Sequence, residues 1–429
     1  MDLKIPSTNQ KRLVIIGGGF GGIEIARLLK DHDIQIVLLD KHNYHCFQPL
    51  LYQVATGGLE PGSIAYPLRK FMQQIPNGIF RLAEVLSIDS TINKIHTNIG
   101  EITYDYLVIA TGSITNFFNF PKEVSSKMMQ MKDIPQALNL RSFILENFEE
   151  ALLTYDESKK QELINIAIVG GGPTGVELAG ALGEMKNNIL PKDYPEIDFT
   201  KMQIHLFESG AELLGQMHPE NQAKALKYVK EFGVNVWLNT MVTDYNGDEI
   251  TIKDGKKIKS ETVIWTAGVK GNPIIGLDAK NVLPNGRILV DEFCKIKDTE
   301  NIYAIGDVAC MQTEALPKGH PMVAPVAIQQ GALFAKNMIR KENGKEILKF
   351  KYTDKGSMAT VGRNKAVMES NGIKMGGFIA WVAWLFVHVM SLVGFRNKIT
   401  VTLGWLYNYF TYDRTLRLII RPFKQHKED

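Results

Sequence analysis

Two short glycine runs in this chain have the spacing of a phosphate cradle. The first, Gly17-Gly18-Gly19-Phe20-Gly21-Gly22, follows an apolar run at 13–16; the second, Gly170-Gly171-Gly172-Pro173-Thr174-Gly175, follows one at 166–169. In G-x-G-x-x-G the first glycine permits a tight turn and the second lets the backbone approach a pyrophosphate. The third lets the helix pack closely on its strand. Free N–H groups and the helix dipole then favour the bound anion. Each run is followed by a second apolar strand that ends in a carboxylate, Asp40 or Glu208, where ribose hydroxyls are recognised. One such run is weak evidence, but strand, turn, helix, strand and acid repeated in one chain predict two dinucleotide sites. An acid at 208 would repel a 2′-phosphate, so the second site is expected to prefer NADH to NADPH.

Other residues could act beside these loops. Glu177 lies two residues past Gly175, where a carboxylate complements the helix dipole. Because pyrophosphate is expected at that helix end, the competing reading aims Glu177 at the nicotinamide. Gly306-Asp307 closes the apolar run 302–305, either as an acid for a flavin ribityl chain or as an ordinary strand-end turn. The three cysteines, Cys46, Cys294 and Cys310, include no CxxC pair. That argues for a reducing compartment and against a structural disulfide or a metal site.

The elements that must position these groups also repeat. A strand at 106–110 enters Thr111-Gly112, and one at 263–265 enters Thr266-Ala267-Gly268, so each dinucleotide domain is closed in an equivalent way. The expected fold is α/β, with two Rossmann-like domains, the second inserted in the first, and a C-terminal membrane-binding helical region. The expected ranges are 1–121 and 272–349 for the first domain, 122–271 for the second, and 350–429 for the tail. At 429 residues, with 45% hydrophobic and 22% charged residues, this is an ordinary multidomain globular chain. A net charge of +3 is too small to imply nucleic-acid binding, and residues 1–12 show no signal or transit pattern.

The tail differs in character. Residues 352–367 read as β structure, and 375–395 is an uncharged run of 21 residues. Its length would suffice for a membrane span. On a helical wheel, however, Phe378, Ile379, Trp381, Val382, Leu385, Phe386, Val389, Leu392 and Val393 share a bulky face, while Ala380, Ala383, His388 and Ser391, with Trp384, share the other. That division favours a helix lying in the membrane surface, small face inward; a hairpin buried in a dimer is the competing reading. From Arg396 onward there are seven Lys/Arg against three Asp/Glu, and 399–421 has the Trp/Tyr/Arg composition of an interfacial helix.

With these motifs the chain resembles the flavoproteins that carry two dinucleotide-binding domains, and most of all the type II NADH dehydrogenases. The specific pieces are Phe47-Gln48-Pro49-Leu50-Leu51-Tyr52-Gln53-Val54-Ala55, the two glycine runs, residues 265–269 and 303–308, and the apolar-aromatic tail. By position, the resemblance implies FAD contacts at Gly17, Gly18, Gly19, Phe20, Gly21, Gly22, Asp40, Val85, Thr111, Gly112, Gly306, Asp307 and Ala327. It implies NADH contacts at Gly170, Gly172, Pro173, Thr174, Gly175, Glu208, Ala267 and Gly268. Where the family carries A-Q-x-A-x-Q, this chain reads Ala324-Pro325-Val326-Ala327-Ile328-Gln329-Gln330, with Pro325 in place of the first glutamine. Glu177, Gln329 and Gln330 remain as catalytic candidates. The implied activity is a non-proton-pumping NADH:quinone oxidoreductase, with hydride passing from NADH to FAD and two electrons from FAD to a membrane quinone. The implied partners are the quinone, a bilayer surface met by the tail and a second copy of the chain, with no nucleic acid. The implied location is the cytoplasmic face of the bacterial inner membrane. Sulfide:quinone oxidoreductase and a nucleotide-sensing flavoprotein acting through a binding partner are the alternatives.

Overall fold

The computed structural model describes residues 3–370, 372–411 and 416–421. The chain forms two compact units, one from Met1–Cys46, Tyr66–Ile114 and Val269–Asp354, the other from Phe47–Ala65, Thr115–Gly268 and Lys355–Asp429.

The first unit is built on a parallel sheet in the order Ile302–Ala304, Tyr106–Ile109, Lys11–Ile16, Ile34–Asp40 and Gly78–Leu82. Its central strands carry apolar runs, as strands of a buried parallel sheet do; Leu13, Val14, Ile15 and Ile36 through Leu39 are fully buried. The helix Phe20–Leu28 leaves the first glycine loop and packs on the helix Ala324–Glu342. They approach closely because Gly21 and Gly331 meet at the crossing, where a Cβ on Gly331 would lie 2.7 Å from the Gly21 carbonyl oxygen.

The second unit repeats the plan with a four-stranded parallel sheet ordered Val234–Trp237, Ile204–Phe207, Ile166–Val169 and Thr262–Trp265. The helix Pro173–Asn188 leaves its glycine loop. Residues 47–65, expected within the first domain, cluster with this unit: the helix Leu51–Ala55 packs on the helix Ile134–Leu153, and Leu51, Tyr52, Val54 and Ala55 are buried there.

The tail corrects several expectations. Regular β structure begins at Ser357, with the antiparallel strands Ser357–Thr360, Ala366–Ser370 and Ile373–Gly376. The uncharged run 375–395 is not one helix, because Gly377 and Gly394 turn with φ of +76° and +87° and leave a helix of 14 residues, Phe378–Ser391. That is about 21 Å, short of a hydrocarbon core of roughly 30 Å. Among the described residues no helix is long and apolar enough to cross a membrane. Phe378, Ile379, Val382 and Phe386 are exposed, and Ala380 and Trp384 are buried, matching the expected faces. Leu392, assigned to the bulky face, is instead buried and Ser391 is exposed, because the helix ends at Ser391 and the helical wheel stops applying.

The second tail helix is Phe395–Thr411; Tyr412 and Arg414 lie outside the described residues. Residues 416–421 are not helical, and two of the cations expected at lipid headgroups are held by protein carboxylates. Arg417 pairs with Asp193, and Arg421 with Glu146 and, at 2.6 Å, the Asn139 side-chain oxygen.

Candidate functional site

The two glycine loops fold alike. Gly17 and Gly170 have φ of +109° and +114°, where a side chain would be strained. A Cβ on either would strike facing backbone, at Ala110 for Gly17 and Ala267 for Gly170. Gly22 and Gly175 sit just as tightly on the carbonyls of Gly17 and Gly170. A Cβ on Gly19 or Gly172, by contrast, would meet no atom within 4 Å. Those two residues are the N-caps of Phe20–Leu28 and Pro173–Asn188, with no side-chain capping bond. Open space and the first-turn N–H groups, which have no partner within the helix, therefore coincide at each helix start, as a pyrophosphate requires.

The strand-end acids have a use the sequence did not disclose. Asp40 accepts the Gly18 N–H at 2.6 Å and the His42 N–H at 2.7 Å. Glu208 accepts the Gly171 N–H at 2.7 Å and the Gly210 N–H at 2.6 Å. Each carboxylate thus fixes the second residue of its own loop. Burial lifts the Asp40 carboxyl above its ordinary pKa, and its two amide partners oppose that rise. His45, which the sequence reading passed over, bonds the same Gly18 peptide from the other side; nothing in its type or spacing marked it.

The remaining expected residues are placed as follows. Phe20 opens the first helix, and its ring meets the His45 ring edge-on at 5.1 Å. Val85 starts the strand Val85–Asp89 and pairs with Thr97. Thr111 donates to the Asn272 carbonyl at 2.6 Å, and Gly112 turns at φ +69° beside open space. Asp307 accepts the Ser113 hydroxyl at 2.6 Å, and Ala327 packs on Gly21 and Gly306. In the second unit Pro173 and Thr174 begin the helix, Ala267 backs Gly170, and Gly268 lies against the Phe118 ring. The two glutamines have their amides occupied by backbone. Gln330, 1% exposed, accepts the Gly306 N–H at 2.7 Å; Gln329 bonds Thr353 N–H and C=O, each at 2.9 Å. Pro325 is the second residue of its helix, where a missing N–H leaves no hydrogen bond unmade.

Glu177 is 7% exposed, and burial pushes its pKa up to about 8, against weaker opposing pulls from the Thr360 amide and the Trp384 indole. A carboxyl whose burial favours the protonated form complements a helix dipole less well than an exposed one. Thr360 and Trp384 also line a cavity of about 90 Å³ with Tyr52, Gln53, Trp381 and Trp405. A hydrogen-bonded row edges it: Trp405 donates to the Gln53 side chain at 2.6 Å, Gln53 to the Tyr52 hydroxyl at 2.9 Å, and Tyr52 shares a 3.2 Å bond with Thr360. The three cysteines are free thiols, two of them buried, and no group of metal-binding side chains occurs among the described residues.

Comparison with known proteins agrees with this geometry. Residues 11–331 match the pyridine nucleotide-disulphide oxidoreductase family, and residues 355–412 match the NDH2 C-terminal domain. A type II NADH:quinone oxidoreductase of Mycobacterium tuberculosis is 35% identical over 94% of this chain and 89% of its own length. One from Haemophilus influenzae is 33% identical over 82% of this chain and 85% of its own. The structure of NDH2 from Plasmodium falciparum in complex with NADH superposes with a TM-score of 0.87 at 21% identity, covering 96% of this chain and all of that one. A sulfide:quinone oxidoreductase from Aquifex aeolicus shares the fold at a TM-score of 0.70 and 19% identity. Sequence identity across nearly the full length, and not fold alone, places the chain in the pyridine nucleotide-disulphide oxidoreductase family, as a member of its type II NADH:quinone oxidoreductase branch.

Proposed function

We propose that this chain oxidises NADH through a bound FAD and reduces a membrane quinone. The observation that carries the reading is the paired loop geometry, with Gly19 and Gly172 each leaving room before a helix N-terminus. FAD belongs to the first loop, with Asp307 on its ribityl side, and NADH to the second. When bound, FAD supplies a two-electron carrier that accepts a hydride and later reduces the quinone.

The chain's own residues supply orientation and a proton. Gln330 holds Gly306 and so positions Asp307; Gln329 ties Thr353 into the same unit. The cavity walled by Trp384, Trp405 and Tyr52 suits the flat head of a quinone. Glu177, in contact with two of its lining residues, holds a proton at neutral pH for the oxygen that gains charge.

The exposed apolar residues of the two tail helices, from Phe378 to Phe410, form more apolar surface than a soluble monomer ordinarily presents. Arg396 and Lys398 lie in the first turn of the second of these helices. These features support peripheral attachment to a bilayer, and the cytoplasmic face of a bacterial inner membrane is the location that goes with this reading. A homodimer is the competing use of the same face.

The test is anaerobic titration of the purified protein with NADH, followed by a quinone. The oxidised-flavin absorbance should bleach with NADH and return with quinone. Protein that carries no flavin, or flavin that stays reduced when quinone is added, would end this reading. Bleaching by sulfide instead of NADH would favour the sulfide:quinone alternative.

A further inference from the structure

The second residue of each glycine loop is held from two sides, and the two loops differ in what holds it. In the second loop, Glu208 accepts the Gly171 N–H at 2.7 Å and the backbone N–H of Leu214 donates to the Gly171 carbonyl at 2.8 Å. In the first loop, Asp40 accepts the Gly18 N–H at 2.6 Å, but among the described residues no main-chain donor reaches the Gly18 carbonyl; its partner is His45 Nδ1, at 3.0 Å. Asp40 and His45 come from one short stretch, just as Glu208 and Leu214 do. An imidazole here stands where the other copy uses a peptide group.

We infer that His45 is a positioning residue for FAD, a side-chain donor that locks the Gly18 peptide so that the loop's N–H groups are arranged for the pyrophosphate. A carbonyl oxygen only accepts, so Nδ1 carries the hydrogen and the ring is held in one tautomer. The imidazole is 2% exposed, and its Nε2 has no hydrogen-bond partner among the described residues. Burial holds its pKa down to about 4, so the ring stays neutral and the phosphate cradle gains no extra charge. The Phe20 ring, edge-on at 5.1 Å, packs on it. A histidine that served only as filler would not need its polar edge turned to a carbonyl. Replacing a buried donor leaves that carbonyl unsatisfied, which weakens the arrangement it maintained.

The inference rests on FAD occupying the first loop, and the experiment separates the two. FAD release would be measured on the full chain by flavin fluorescence for the wild type and for His45→Asn, His45→Gln and His45→Phe. Asparagine places an amide N–H where Nδ1 stands, glutamine places it one bond further, and phenylalanine keeps the ring but loses the donor. Release should be about tenfold faster or more in His45→Phe and His45→Gln, the loss of one buried hydrogen bond, with His45→Asn near wild type. If His45→Phe retains FAD and His45→Asn loses it, the residue acts by packing and the inference is wrong. If all three variants release FAD as slowly as wild type, the inference is likewise wrong while the FAD assignment stands. A wild-type chain that binds no FAD overturns both. Circular dichroism on each variant establishes that the comparison is among folded proteins.

Discussion

Glu184 and Arg363 form an ion pair 3.2 Å long with only 6% and 13% of their side chains exposed. Arg363 also donates to the carbonyls of Tyr409 and Asn408, each at 2.9 Å, and its guanidinium lies over the Tyr409 ring. One side chain thus ties the helix of the second glycine loop to the last turns of the final tail helix. Arg363→Leu should take this cation from a buried carboxylate and break two bonds to tail carbonyls, costing about 2 kcal/mol and lowering the urea midpoint. Arg363→Lys should recover only part, because an ammonium cannot reproduce the planar fork. An unchanged midpoint for both would mean that the tie contributes nothing to stability.

Glu177 makes a prediction in pH. Its pKa rises from 4.5 to about 8 on folding, so between those values the folded chain holds a proton that the unfolded chain has released. Wild-type stability should therefore fall as pH rises through this window and level off above it. Glu177→Gln carries no such proton, and its Tm should gain on wild type from pH 5 to pH 9. A constant difference across that range would exclude the raised pKa. The same variant should keep FAD and turn over quinone about a hundredfold more slowly.

Gly19→Ala and Gly172→Ala offer a cleaner separation of the two sites. Neither new methyl meets protein, so both variants, stripped of nucleotide, should unfold at the temperature of the stripped wild type. The methyl would instead occupy the space reserved for a pyrophosphate. Gly19→Ala should be purified with little flavin, whereas Gly172→Ala should keep flavin and bind NADH weakly. Equal loss of both ligands in either variant would contradict the assignment of one nucleotide to each loop.

For the tail, Phe386 and Phe395 are 66% and 79% exposed. Inserting two such rings into lipid is worth about 3 kcal/mol or more. Phe386→Ser with Phe395→Ser should abolish flotation with anionic vesicles that carry the wild-type chain. Since Arg417 and Arg421 are paired with Asp193 and Glu146, attachment should resist salt better than the tail's formal charge implies. A double variant that still floats, or a former dimer that becomes monomeric, would assign the face to something other than lipid.

The glycine loops were legible in the sequence because their demands are local: a positive φ, a close approach and an acid at the next strand end all fall within a few dozen residues. The exposed and buried faces of Phe378–Ser391 were legible for the same reason, up to the residue where the helix stops. Partners chosen by tertiary packing were not. Nothing near Gln330 announces Gly306, and nothing near Glu184 announces Arg363. The segment around Leu51 carried the family resemblance without saying what it would pack against. His45 was missed because its role depends on which carbonyl lies beside it.

The division of the chain also bears on how it can be made. Its first parallel sheet needs Ile302–Ala304 beside Tyr106–Ile109, and residues 47–65 belong with a unit that includes 115–268 and the chain from 355 onward. A nascent polypeptide ending at Gly268 would hold an unfinished sheet and an apolar segment still waiting for part of its surroundings. Neither unit is complete until segments made after Gly268 arrive, so the final closure of both must follow late in synthesis or after it.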